Sequence, residues 1–252
     1  MRLATFNILS GRSVTDERID VERFAAAVRS LGADVLGMQE VDLHQPRSQN
    51  HDLTAVAAEA MGAVEHRFVA AMAGLPDGGW RAATGEEPPG TPAYGVALLS
   101  RLPVLSWEVI RIPALPFRVP HLFPGRHRPV LVRDEARVAI GAVVQTQRGA
   151  MTVVTTHLSF IDGWNIVQLR RLRRSLASLS GPLVLMGDLN MGQRRATRTT
   201  GMSSLATALT FPADRPTRQL DHILARSLPA PPLSAAAHEL AMSDHRALTV
   251  DC

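Results

Sequence analysis

Val184-Leu185-Met186-Gly187-Asp188-Leu189-Asn190 is a short apolar run that ends in a carboxylate and a carboxamide two residues apart. A run of this kind reads as a buried strand. Side chains two apart on a strand share a face, so Asp188 and Asn190 meet one ligand provided the extended geometry lasts through Asn190. Gly187 lets another group approach closely. In isolation the same residues would simply make a turn after a strand, so the flanking segments must decide.

Upstream of this run, Leu169, Leu172, Leu176 and Leu179 mark an amphipathic helix. Its other face holds Arg170, Arg171, Arg173 and Arg174, a solvated stripe or a phosphate-binding one. Earlier still, residues 136–146 and 151–157 predict a β-hairpin around Arg148-Gly149 that delivers His157 at the end of its second strand. Downstream, Arg194, Arg195 and Arg198 lie close in sequence to the acid, as solvated loop residues or as substrate contacts. Strands are expected over residues 220–224, with Asp221 inside, and over 247–250, preceded by Ser243-Asp244-His245-Arg246.

The first half has the same character. Residues 3–9 predict a buried strand carrying Asn7, and Asp20 caps a helix marked by Val21, Phe24, Val28 and Leu31 and stopped at Gly32. A second buried strand, 34–40, ends in Glu40, and a second helix covers 53–61 up to Gly62. Residues 76–92 are rich in Gly and Pro and read as an irregular loop. Residues 94–100 return to strand, with 104–112 as its partner after a turn. Residues 113–133 contain five prolines and read as a second long loop. Its Arg118, Arg126, Arg128 and Arg133 are suited to a phosphate-rich ligand, and Leu122 and Phe123 to an apolar portion of one.

Composition narrows the function classes. With 252 residues, 46% of them hydrophobic, the chain can bury a large core, and no composition break divides it, so residues 1–252 are expected to form one catalytic domain. No apolar run reaches the length of a bilayer span and no secretory leader precedes the first strand, so a soluble, cytoplasmic protein is expected. Cys252 is the one cysteine, which excludes an internal disulfide and a thiolate metal cluster. All 27 basic residues are arginine, which is either phosphate recognition or a coding bias against lysine. A net charge of +4 and 4% aromatics disfavour a long nucleic-acid surface.

Asn7, Glu40, His157, Asp188, Asn190, Asp221, Asp244 and His245 each sit at or beside a strand-like segment. Polar residues at strand ends converge where a layered α/β core opens to solvent. The ordered set TFNIL, QE, YGVALLSR, TTHL, GDLN, LDHIL and SDHRAL resembles the endonuclease/exonuclease/phosphatase superfamily over essentially the whole chain. The resemblance implies an α/β (α+β) four-layer sandwich of two packed mixed sheets flanked by helices, with the site in a cleft at one end. It also implies phosphoester hydrolysis with a divalent metal, usually Mg²⁺, for which Mn²⁺ can substitute. Oxygen donors suit such a hard ion; zinc through His157 and His245 is the weaker alternative.

By the same resemblance, Glu40 anchors the metal with help from Asn7 and Asp244, and His245 acts as general base oriented by Asp221. Proton transfer by Asp188 remains the other assignment. Asn190 positions the nucleophile or phosphate, and His157 donates to phosphoryl oxygens. Arg126, Arg128, Arg194 and Arg195 are the candidate substrate contacts. The expected ligand is a small phosphoester, a phosphorylated sugar, inositol or lipid head group, with DNA or RNA as the alternative. A phospholigand-binding module without catalysis is the reading from a different class.

Overall fold

The computed structural model describes residues 1–122 and 128–252. Arg126, one of the expected substrate contacts, lies outside them, as does Phe123. Strand β1 (Arg2–Asn7) leads to helix α1 (Val21–Leu31), where the Asp20 carboxylate accepts from the Arg23 N–H and Gly32 closes the last turn at φ 58°. Both caps are the ones the sequence announces. β2 (Val35–Leu43) and α2 (Leu53–Met61) follow, the latter capped by Asp52 and Gly62.

β3 (Glu65–Leu75) and β4 (Gly78–Ala82) then form a hairpin, so the stretch expected to be irregular from residue 76 begins with a strand. Next come β5 (Ala93–Ser100), β6 (Val104–Ile112) and a short two-stranded ribbon, β7 (Val119–His121) with β8 (Val130–Val132). That ribbon corrects the reading of residues 113–133 as loop alone. β9 (Arg137–Thr146) and β10 (Gly149–His157) form the expected hairpin. The rest is α3 (Trp164–Ser175), β11 (Leu183–Asp188), α4 (Gln193–Thr200), β12 (Ser203–Ser204), β13 (Asp221–Arg226), β14 (Ser234–His238) and β15 (Ala247–Asp251).

The strands make two mixed sheets, ordered β14-β15-β1-β2-β5-β3-β4 and β12-β13-β11-β10-β9-β6. Between them lies an apolar layer that includes Leu3, Val35, Leu98, Ile140, Val153, Val184, Ile223 and Leu248. α1 and α2 bury Phe24, Leu31 and Leu53 on the outer face of the first sheet, and α3 and α4 bury Leu169, Leu172 and Ala196 on the outer face of the second. The result is the expected four-layer α+β sandwich. Among the described residues, no helix is long and apolar enough to cross a membrane.

β6 was expected beside β5 but pairs with β9 in the other sheet. Both edges of β5 are occupied, by β2 and β3, and all eight of its residues are buried. β6 is the edge strand its alternating exposure suits, so the chain crosses between sheets at Arg101-Leu102-Pro103.

Toward one end of the sandwich the filling between the sheets turns polar. A Cβ on Gly37 would lie 2.5 Å from Thr155 Oγ1, so the sheets approach there as only glycine permits. Gln39 bridges the gap, its Nε2 donating to Thr155 Oγ1 at 2.9 Å and its Oε1 accepting from Thr5 Oγ1 at 3.2 Å. One or two residues further along the strands, at Glu40, Asn7, His157 and Asp188, the catalytic residue types begin.

On the rim, Arg47 grips the fully buried Asp42 carboxylate through two bonds of 2.8 and 2.7 Å and lies over the Tyr94 ring. Arg47→Ala strands that carboxylate. Because the Arg47 side chain is 45% exposed, water partly replaces it. The expected loss is about 1–3 kcal/mol, read as a lower urea midpoint at unchanged slope.

Candidate active site

Topology brings the polar residues together. β1 runs parallel to β2 with Asn7 opposite Gln39, and β10 runs parallel to β11 with His157 opposite Asp188. β13 is antiparallel to β11 and starts at the same end, with Asp221 opposite Asp188. His245 is fixed just ahead of β15 by its N–H to Ser243 Oγ, which in turn donates to the Asn7 carbonyl at 2.6 Å. Three strand ends, the middle of β2 and two strand starts thus share one rim, as expected for a cleft between two sheets.

Three residues there hold a backbone conformation rare without glycine: Glu40 (φ 55°), Asn190 (φ 51°) and Ser243 (φ 64°). Glu40 is the extra residue of a bulge, since Gln39 and Val41 pair with Val96 and Gly95 and leave it unpaired. The bulge re-aims its carboxylate into the cleft. β11 stops at Asp188, so the extended geometry required for Asn190 to share a strand face does not persist. Asn190 reaches the site instead by a left-handed turn, whose N–H donates to Asp188 Oδ1 at 2.8 Å.

Asn7 Nδ2 donates to Glu40 Oε1 at 3.0 Å and to Asp188 Oδ2 at 3.1 Å, while its Oδ1 accepts from the Leu9 N–H. It therefore spaces two carboxylates and presents them with a donor. His245 spans another pair. Its Nδ1 is 2.8 Å from Asp221 Oδ2, and its Nε2 is 3.7 Å from Asp188 Oδ2. Phe211 packs on the imidazole with ring centroids 4.9 Å apart. Asp221 is wholly buried and its Oδ1 has no hydrogen-bond partner among the described residues, so its charge is directed at His245.

His157 Nε2 lies 3.6 Å from Asp188 Oδ2 and 3.2 Å from Asn190 Nδ2, which also donates to the Leu158 carbonyl at 3.0 Å. Its Nδ1 faces Arg137 Nη1 at 3.5 Å. The guanidinium and the amide N–H can each only donate, so both ring nitrogens face a donor, and Asp188 Oδ2 is the acceptor that lies near Nε2. Asp244 is half-exposed beside this group.

Charge is poorly balanced here. Burial, and then the charge of Asp244, raise the Glu40 carboxyl above its ordinary value against the Asn7 hydrogen bond. Burial, followed by Asp221, pushes Asp188 up to about 7 despite His245. For His245 burial works downward, but Asp221, Asp188 and Asp244 outweigh it and push the group up to about 10. His157 is held well below its ordinary value by burial, then by Arg137 and His245. Two desolvated carboxylates with raised affinity for protons are a site that lacks positive charge. A hard cation at Glu40, with Asp188 and Asp244 nearby, fits that deficit and the all-oxygen donor set.

Asp188, Asp221 and His245 also offer ligand atoms within 4.8 Å of one another. The 2.8 Å bond already occupies Asp221 Oδ2 and His245 Nδ1, which leaves these two atoms paired with each other rather than open to an ion.

The expected arginine contacts fare differently. Arg128 is exposed in the segment before β8, and Arg194 and Arg195 are exposed on the first turn of α4, a helix where a loop was expected. Arg195 is paired with Asp162. Among the described residues, no hydrogen bond or ion pair joins these three to the carboxylates of the cleft. The buried arginine at the site is Arg137, which the sequence reading passed over. It opens β9, is 4% exposed, stands 3.9 Å from both Asp134 and Glu135, and its Nε has no partner among the described residues. An arginine at the head of an otherwise apolar strand was the available signal.

Asp134, next to Arg137, links Leu115 to Ser159 by accepting from the Leu115 N–H and Ser159 Oγ at 2.9 and 2.6 Å. His222, inside the LDHIL motif, serves the fold: it is buried with Nε2 2.8 Å from the Met191 carbonyl.

Comparison with known proteins agrees with this geometry. The family model described as Endonuclease/Exonuclease/phosphatase family matches residues 4–245. A search of curated proteins finds no match. Among solved structures, an endonuclease/exonuclease/phosphatase from Beutenbergia cavernae DSM 12333 is 21% identical with TM-score 0.66, covering 99% of this chain and 70% of that one. Sphingomyelinase C from Streptomyces griseocarneus is 15% identical with TM-score 0.65, covering 99% and 98%. The mannosyl-6-phosphatase Bt3783 of Bacteroides thetaiotaomicron VPI-5482 is 14% identical with TM-score 0.62, covering 100% and 98%. At these identities the likeness concerns the fold. The match of the family model over nearly the whole chain makes this protein a member of the Endonuclease/Exonuclease/phosphatase family, a family of divalent-metal-dependent phosphoester hydrolases.

Proposed function

We propose that the protein hydrolyses the phosphoester bond of a small phosphorylated molecule, such as a sugar phosphate or a phosphorylated lipid head group. The observation that carries this reading is His245 held between Asp221 at Nδ1 and Asp188 at Nε2, beside the cation-deficient Glu40. Among the solved structures of this fold are a sugar-phosphate phosphatase and a sphingomyelinase, which supports the small-ester class.

Asp221 holds the Nδ1 proton of His245; once the Nε2 proton is lost, which the charge of a divalent ion at Glu40 would favour, Nε2 can take a proton from water lying between it and Asp188. Asp188 is the alternative proton acceptor; Asp188→Asn separates the two, since a His245 base survives that change with a shifted pH profile. His157, with Arg137 behind it, and Asn190 donate to phosphoryl oxygens. Glu40 would hold a divalent ion, Mg²⁺ with Mn²⁺ as substitute, with Asn7 orienting the carboxylate and Asp244 adding charge. When bound there, the ion supplies neutralisation of the phosphoryl charge. The setting proposed is cytoplasmic.

Glu40→Gln is expected to raise the Mg²⁺ concentration for half-maximal rate by about tenfold or more, measured by metal titration of initial rates. The deciding experiment is product release from sugar phosphates, inositol phosphates, phospholipids, plasmid DNA and RNA, with Mg²⁺ or EDTA. Turnover confined to one small-molecule class and abolished by EDTA supports the proposal. Nicking of DNA with the same dependence makes the protein a nuclease, and no turnover on any arm favours a binding module.

A further inference from the structure

α3 and α4 carry seven arginines and no acidic residue. The whole chain has a net charge of only +4, so the rest of the molecule is net negative and these two helices carry a concentration of positive charge. The face is concave. Arg170, Arg173 and Arg174 from α3 and Arg198 and Thr199 from α4 line a groove of about 420 Å³.

Three of its four arginines have no stated structural task. Arg173 Nη1 donates to the Thr199 carbonyl at 3.2 Å and ties the helices together. Arg170, Arg174 and Arg198 are exposed, and among the described residues none of the four makes an ion pair. Elsewhere this protein does pair arginine with carboxylates: Arg2 with Asp251, Arg23 with Asp16, Arg47 with Asp42, Arg246 with Glu239. An ordinary solvated helix face intersperses both signs, and gathering one sign in a groove costs self-repulsion that a bound anion relieves.

The groove is separate from the catalytic cleft. α3 begins beside the site, where Asn165 Nδ2 donates to the Asn190 carbonyl at 2.8 Å. Arg174 lies nine residues further along the helix, about 13 Å at the helical rise. Four guanidinium groups exceed what one phosphate neutralises, and guanidinium forks match phosphate oxygens two at a time. Among the described residues no aromatic side chain lines the groove, so they give it no platform on which bases would stack.

We propose that the groove between α3 and α4 binds a ligand bearing two or more closely spaced phosphate groups, at a site distinct from the catalytic cleft. The same chemistry is offered by a soluble polyphosphorylated small molecule and by a multiply phosphorylated lipid head group. This site does not depend on the hydrolytic reading, and its test does not use turnover.

The test is titration of inorganic pyrophosphate into metal-free full-length protein, followed at the Thr199 backbone amide by ¹⁵N NMR. Wild type should show a saturable shift. Arg174→Ala and Arg198→Ala should each weaken it about tenfold or more, whereas Arg29→Ala on α1, which changes net charge equally, should leave it unchanged. Both groove variants sit on exposed helix surface, and relief of repulsion should leave their thermal midpoints without ligand at or above that of wild type. Absence of a saturable Thr199 shift in wild type, or equal weakening by Arg29→Ala, overturns the proposal. A second arm compares vesicles carrying a bisphosphorylated head group with the same head group free in solution: stronger binding to vesicles assigns the lipid source, equal binding the soluble one. Displacement of pyrophosphate by a short oligonucleotide at much lower concentration would replace the proposal with a nucleic-acid surface.

Discussion

His245→Ala is expected to lower turnover by roughly 10²–10⁴-fold while leaving the metal concentration for half-maximal rate within a few-fold of wild type. Among the described residues the imidazole is the group that meets both Asp221 and Asp188, so its loss leaves Asp188 as the remaining proton acceptor, without the Asp221 charge coupled to it. Removing it also strips Asp221 Oδ2 of its partner when Oδ1 already lacks one, so a stability loss of about 1–3 kcal/mol is expected as well. His245→Asn separates the two effects, because its amide can still donate to Asp221 while supplying no base. Loss of rate in both variants with near-normal stability in the second supports the assignment. Wild-type rates in both would end it.

The same residue has a pH signature in the metal-free protein. Its folded value of about 10 is raised from 6.5, so its stabilising contribution is fully present below pH 6.5 and is lost as pH rises through about 10. The urea midpoints of wild type and His245→Asn should therefore converge across that window.

Gly187→Ala is expected to cost about 3–5 kcal/mol and to remove most activity with it. A Cβ at Gly187 would stand 2.0 Å from the Thr156 carbonyl oxygen, and the residue sits at φ 138°, where side chains are strained. The obstacle is the backbone of the paired strand β10, which cannot swing aside as a flexible side chain does. Relief requires β11 to move away from β10, and Asp188 moves with it from His157. Urea denaturation and turnover of the purified variant check both consequences. A variant with the wild-type midpoint would show that the strands do not approach as closely as described.

Much of the framework was legible where the signal is local. Asp20 and Gly32 bracket α1, Gly62 closes α2, and Arg148-Gly149 marks the β9–β10 hairpin, because caps and turns depend on residues a few positions apart. Partner choice between sheets was not legible. β5 and β6 look like a hairpin in sequence, and only the competition of β2 and β3 for the edges of β5 sends β6 across the sandwich.

At the site, the identities of the acids and histidines could be read from their ordered motifs, but not how they address one another. Glu40 enters through a bulge and Asn190 through a left-handed turn, both conformations paid for by packing that a strand pattern does not encode. Arg137 escaped notice for a related reason: a single charge at the start of an apolar strand gains meaning only when His157, Asp134 and Glu135 surround it.

The pairing of β1 with β15 has a consequence during synthesis. β1 leaves the ribosome early and finds β2 within a few dozen residues, but the partner for its other edge is made about 240 residues later, on the order of tens of seconds at ordinary elongation rates. Throughout that interval the nascent chain carries an open apolar strand edge, a target for chaperones and a template for aggregation. Asn7 and Glu40 wait as long for His245, so the proposed catalytic centre is assembled only when β15 joins the sheet, and on that proposal a nascent chain short of β15 has no means of attacking the phosphoesters around it.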